Sequence, residues 1–176
     1  MTIIEILLRR RSCRRFLARE VDRETVEKLI KATLTAPSSK NTRSTRLAVI
    51  TDRSVIERLG ATRTHGTSFV SDAPLVILIM GDQAASDLWV ENCAISATVL
   101  QLAAESLGLG SCWVHVNGRP HVDGQPEGMS AEEYVHSLAP QSARWRVECM
   151  VAIGYPAEEP RPRRETDDSD KVVFVE

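Results

Sequence analysis

A mixed α and β fold, one central sheet flanked by helices, is what the sequence predicts, and three features carry the prediction. Apolar runs of strand length recur at 47–50, 75–80, 111–116 and 146–153. Segments with helical spacing lie before and between them. No repeat, low-complexity stretch or linker divides the chain, and 176 residues, 43% hydrophobic and 26% charged, can bury a core in one domain spanning 1–176.

Taken in order, residues 2–10 read as a short amphipathic helix. Asp22 is a candidate N-cap for a second, with Val26, Leu29, Ile30 and Thr33 or Leu34 at helical spacing and an end before Pro37. Residues 36–42 are a polar loop of turn formers leading into the first strand. The run 75–80 is apolar without alternation, which predicts burial on both faces. From 86 to 107 comes the longest helix. Cys93, Ala97, Leu100 and Ala104 line one face and Ile95, Val99 and Leu102 another, so it belongs in the core or a subunit interface. Gly108 ends it at a position that wants a left-handed residue. A third strand, a loop rich in Gly and Pro, a helix over 131–138 and a fourth strand ending at Gly154 complete the body. Residues 156–176 form an extended arm with three prolines up to 170, finishing in Val172, Val173, Phe174 and Val175. A terminal β-run of this kind needs a sheet edge, and a partner chain is the expected source.

Arg9-Arg10-Arg11-Ser12-Cys13-Arg14-Arg15-Phe16 is the richest local signal. Guanidinium forks grip phosphate or carboxylate in bidentate fashion, and a serine hydroxyl adds a further bond. Such a run is also compatible with a solvated face or a nucleic-acid patch. A net charge of −2 with a pI near 6.1 gives no sustained positive field, so a small discrete anion fits better than nucleic acid. The apolar start is too short and too soon arginine-rich for a membrane span, which reads as a cytoplasmic protein. Cys13, Cys93, Cys112 and Cys149 form no Cys-x-x-Cys pair and the histidines no metal spacing, so neither a metal site nor a redox dithiol is expected. There is no Gly-x-Gly-x-x-Gly turn, no phosphate-binding Gly-Lys-Ser and no Gly-x-Ser-x-Gly elbow.

Three segments together resemble the FMN-dependent nitroreductase family: residues 10–16, Ala36-Pro37-Ser38-Ser39-Lys40-Asn41, and Gly108-Leu109-Gly110-Ser111-Cys112-Trp113. Asp72-Ala73-Pro74 and Ile153-Gly154-Tyr155-Pro156 are weaker matches. The resemblance implies an α+β fold with a mixed central sheet and a C-terminal arm exchanged between the subunits of a homodimer. It also implies FMN at the interface and ping-pong transfer of two electrons from NADH or NADPH to a nitro compound, quinone or related acceptor. By that resemblance Arg10, Arg11, Ser12 and Arg14 surround the FMN phosphate and ribityl chain, and Arg163 and Arg164 close over the phosphate. Pro37, Ser38, Ser39 and Asn41 reach the flavin from the other subunit. The backbone of Trp113, Val114 and His115 passes N5 and O4, so no side-chain nucleophile is required.

The sequence departs from the family where many members follow the loop asparagine with x-Gln-Pro-Trp. Here Asn41 is followed by Thr42, Arg43, Ser44 and Thr45. Arg43 would place a cation near flavin or acceptor, favouring the anionic reduced flavin or an acidic substrate. His65 lies where the family often contacts the pyrimidine edge of the ring. The altered loop also admits a second function, an FMN store or sensor without general reductase turnover.

Overall fold

The computed structural model describes residues 1–160, 162 and 166–175. Its sheet has four strands: β1 (Thr45–Ile50), β2 (Leu75–Gly81), β3 (Gly110–His115) and β4 (Arg146–Gly154), in the order β1-β2-β4-β3. Every neighbouring pair is antiparallel. The helices are α1 (Ile3–Arg9), α2 (Arg23–Leu34), α3 (Arg53–Leu59), α4 (Trp89–Ser106) and α5 (Ala131–Leu138).

All seven residues of β2 are buried, as its unbroken apolar run predicts. The pleat divides them between two cores. Leu75, Ile77 and Ile79 join Leu29 of α2 and Cys93, Ala97, Leu100 and Ala104 of α4; Val76, Leu78 and Met80 join Ile56 and Leu59 of α3 and Val135 and Leu138 of α5. The sheet is therefore the middle of three layers.

Local chemistry fixes the helix ends. Asp22 caps α2 by accepting from the Thr25 N–H, and Thr2 with Glu5, and Ser130 with Glu133, form capping boxes on α1 and α5. At the end of α4, Gly108 takes φ 75°, the Leu109 N–H donates to the Ala104 carbonyl and the Gly108 N–H to that of Glu105. These two bonds are a Schellman motif, which needs the left-handed residue the sequence supplies. The helix expected from 86 begins instead at Trp89, because the Ser86 hydroxyl accepts from the Leu88 N–H and holds a turn before it. The short α3, capped by Asp52, is an element the sequence reading omits.

Residues 172–175 are highly exposed and pair with no strand among the described residues. On α4 the first face is fully buried, but Ile95 is 40% exposed and Val99 and Leu102 are half-buried. No helix among the described residues is long and apolar enough to cross a membrane.

Candidate functional site

The arginine-rich segment leaves α1 and pairs with the free edge of β3. Ser12 bridges Ser111 in parallel, and the Cys13 N–H donates to the Ser111 carbonyl at 2.9 Å. Gly110 makes the approach possible: a Cβ there would sit 2.6 Å from that of Cys13. Downstream, the Leu17 N–H donates to the Tyr155 carbonyl and the Ala157 N–H to that of Arg15, which pins the segment to the end of β4.

Five arginines thus share one corner, with different duties. Arg9 pairs with Glu105 at 2.9 Å and Arg15 with Glu158 at 3.5 Å. Arg11 turns back on α1, its Nη1 donating to the carbonyls of Leu8, Arg9 and Arg10. Arg10 and Arg14 form no ion pair among the described residues. Both act on the Cys112 thiol: burial raises its pKa, while the Arg14 charge, the Ser12 hydroxyl and Arg10 oppose the rise. A cleft of about 570 Å³ opens here, lined by Ser12, Arg14, Gly108 and Pro156 among others. Arg14 also lies over the Phe69 ring, 5.7 Å from its centroid, which brings the turn after α3 to the same corner. His65 is exposed on that turn, whereas Thr67 is buried and bonded to the Gly60 and Arg63 carbonyls, a structural role.

Along β3 the pleat does further work. Because the Ser111 carbonyl faces outward to Cys13, the backbone groups of Trp113 and His115 face the same open edge. Val114 is buried between them. Behind His115 stands Glu148, whose Oε1 is 3.4 Å from the imidazole Nδ1. Glu148 occupies a bulge, since pairing jumps from Ile79↔Cys149 to Met80↔Val147. Its side chain is 4% exposed, and Oε2 has no hydrogen-bond partner among the described residues.

The loop bearing Pro37, Ser38, Ser39, Asn41 and Arg43 lies elsewhere. It precedes Thr45, which pairs with Gly81 at one end of the sheet, while Ser111 sits beside the Gly110↔Gly154 pair at the other. β1 and β3 are also opposite edges. Strand spacing of ~4.8 Å and rise of ~3.3 Å per residue put the two corners roughly 20 Å apart. The loop is held by Asn92 of α4, which is 1% exposed: its Oδ1 accepts from the Ser39 N–H at 2.9 Å, and its Nδ2 donates to Ser44, Ser86 and Thr42. The Ser38 hydroxyl accepts from the Arg43 N–H. Lys40, Asn41 and Arg43 all have positive φ, of 50°, 53° and 47°, a concentration of strain that non-glycine residues adopt only when their surroundings impose it. Pro37, Asn41 and Arg43 are exposed.

Arg163 and Arg164 lie outside the described residues. The four cysteines are unpaired, and burial pushes the Cys93 thiol up to about 12, so no thiolate nucleophile is formed there near neutral pH. No metal-binding group of His, Cys, Asp or Glu occurs among the described residues. A concavity of about 1000 Å³ between residues 16–23 and α2 contains none of the expected site residues. Asn92 and Glu148 were not expected from sequence. Their signal was a polar residue set in an apolar helix face and in an apolar strand.

Comparison with known proteins agrees with this architecture. The family model described as "Nitroreductase family" matches residues 7–63 and 61–155. A solved structure of an FMN-dependent nitroreductase from Clostridium difficile R20291 is 37% identical, with a TM-score of 0.90 over 98% of this chain and 99% of the other. A protein of Methanothermobacter thermautotrophicus, provisionally named an NADH dehydrogenase/NAD(P)H nitroreductase, is 30% identical over 93% of this chain and 82% of its own length.

Proposed function

The chain belongs to the nitroreductase family, and from that premise we propose that it passes two electrons from NADH or NADPH through FMN to a nitro compound, quinone or related electron-poor acceptor. The observation that carries the reading is the Ser12–Ser111 bridge. It sets Arg10 and Arg14, which form no ion pair among the described residues, and the Ser12 hydroxyl on the same β3 edge that then offers the outward amides of Trp113 and His115.

The donor set fits FMN. A phosphate of about two negative charges is costly to desolvate without charge-assisted bonds, and Arg10, Ser12 and Arg14 supply them. Arg11 steadies the cluster by holding the end of α1, with Nε and Nη2 left for the anion. The amides of residues 113–115 would hold the ring edge. When bound, the flavin supplies hydride acceptance and donation, and the protein positions and polarises it. Donor and acceptor would take turns in one cleft, the ping-pong order. Arg163 and Arg164 are assigned to close over the phosphate.

The loop with Pro37, Ser38, Ser39 and Asn41 cannot reach that cluster within one chain, so a second subunit supplies it. The working unit is then a cytoplasmic homodimer with two shared sites, each subunit one domain of residues 1–176 whose arm, 156–176, embraces its neighbour. The exposed face of α4 at Ile95 and the open edge of β1 at Val49 give that neighbour apolar surface and strand edge to cover. Arg43 and His65 stand where the acceptor would enter. Visible absorbance of the purified protein, before and after NADH or NADPH without oxygen, tests the reading: flavin bands that bleach are expected, and a colourless protein that takes up no added FMN would overturn it.

A further inference from the structure

We infer that His115 and Glu148 are a proton-handling pair for acceptor reduction, with His115 as the donor and Glu148 as its positioning residue. The inference rests on the proposed flavin reading and adds a step that reading leaves unassigned. Reduction of a quinone or nitro group by hydride also consumes a proton: the acceptor gains one hydride, which began on the nicotinamide, and one H⁺, a quinone leaving as the hydroquinone and a nitro compound as the nitroso compound and water. A group beside the hydride-transfer position has to deliver that proton.

His115 is placed for it twice over. Its backbone faces the open edge of β3, and its imidazole is 36% exposed, open to solvent while Nδ1 faces Glu148. Glu148 is otherwise hard to explain. A carboxylate with a 4% exposed side chain and an unpartnered Oε2, set in a bulge of the most buried part of the sheet, is costly unless a nearby cation repays it. The other titratable groups known to face it are Cys93 from α4 and Cys149 beside it on β4, and the carboxylate charge adds to burial in raising both thiols. Neither thiol can supply positive charge, so among these contacts only His115, on taking up a proton, can do so. Nδ1–H held by Glu148 fixes the ring with Nε2 free to take up a proton from water and pass it to the acceptor, Glu148 steadying the imidazolium formed in between. The proton leaves Nε2 for the acceptor as hydride arrives, and water replaces it.

The test compares acceptors that do and do not need a proton. Flavin-loaded wild type, His115→Gln and Glu148→Gln are reduced with a nicotinamide, and stopped-flow absorbance follows reoxidation by benzoquinone or by ferricyanide, which takes single electrons. Quinone reoxidation should fall roughly 100-fold in His115→Gln, within the span typical of general acids. Ferricyanide reoxidation should stay within about twofold, because no proton from the pair enters that transfer. Independently of turnover, imidazole ¹⁵N signals should place the His115 proton on Nδ1 in wild type and move it to Nε2 in Glu148→Gln. An equal fall with both acceptors, an unchanged quinone rate, or one tautomer in both proteins would overturn the pair. Those results leave the flavin reading standing, whereas a wild type that binds no FMN removes both.

Discussion

The two corners of the sheet are built on different principles. At the β3 corner the chemistry is local in sequence: Arg10, Ser12 and Arg14 fall within five residues and reach their place by strand pairing that Gly110 permits. At the β1 corner it is imposed from a distance, since a side chain 53 residues away from Ser39 holds a loop with three strained residues. The first corner has charge to spare and little strain; the second has strain and few exposed charges of its own beyond Lys40 and Arg43. On the proposed reading the first is a clamp that the FMN phosphate completes. The other is a preformed surface offered outward, which suits a part used by another subunit.

The sharpest way to break this contrast is at the clamp. Replacing both Arg10 and Arg14 by Gln should weaken FMN binding by roughly 100-fold or more, from about 1.5–3 kcal/mol per charged bond lost, with the thermal midpoint of the flavin-free protein almost unchanged. Fluorescence titration with FMN checks it. Asn92→Ala acts first on stability: it strands the Ser39 N–H and the hydroxyls around it, for a loss of about 2–3 kcal/mol in urea unfolding. Arg43→Gly should relieve positive-φ strain and gain up to about 1 kcal/mol, while shifting the preference among acidic and neutral acceptors in steady-state assays.

The smallest effect lies outside both corners. The carboxylates of Asp22, Asp52 and Glu133 are held below their ordinary range, Asp22 and Glu133 chiefly by the Thr25 and Ser130 N–H groups and Asp52 chiefly by the Ser54 hydroxyl. Each folded-state pKa is below its unfolded value. Their stabilisation is therefore complete above about pH 4, near the unfolded values, and is lost as pH falls through the folded ones. Asp52→Asn should flatten the acid limb of a midpoint-against-pH curve and leave the neutral region level.

How much of this was legible beforehand follows the same division. The unbroken run of β2, the Asp22 cap and the Gly108 terminus were readable because each is set by its own few residues. The run of arginines was equally plain, but not which of them pair with Glu105 and Glu158. The Ser38 loop was readable as a motif, but its distance from the arginines was not, because that distance depends on strand order. Asn92 and Glu148 escaped because single-sequence patterns treat a polar residue in an apolar segment as noise. Their meaning appears only when Ser39 and His115 stand opposite them. α3 was passed over although Asp52, Ile56 and Leu59 carry a cap and helical spacing, since seven residues give a weak periodic signal.

That each flavin site is shared between two chains is tested most directly by complementation. Chains carrying Arg10→Gln and Arg14→Gln are co-expressed in equal amounts with chains whose residues 38–41 are all glycine. Random pairing makes half the dimers mixed, each with one intact site, so the account predicts about a quarter of the wild-type flavin content, although either variant alone retains almost none. A mixture holding no more flavin than the two variants apart would contradict it.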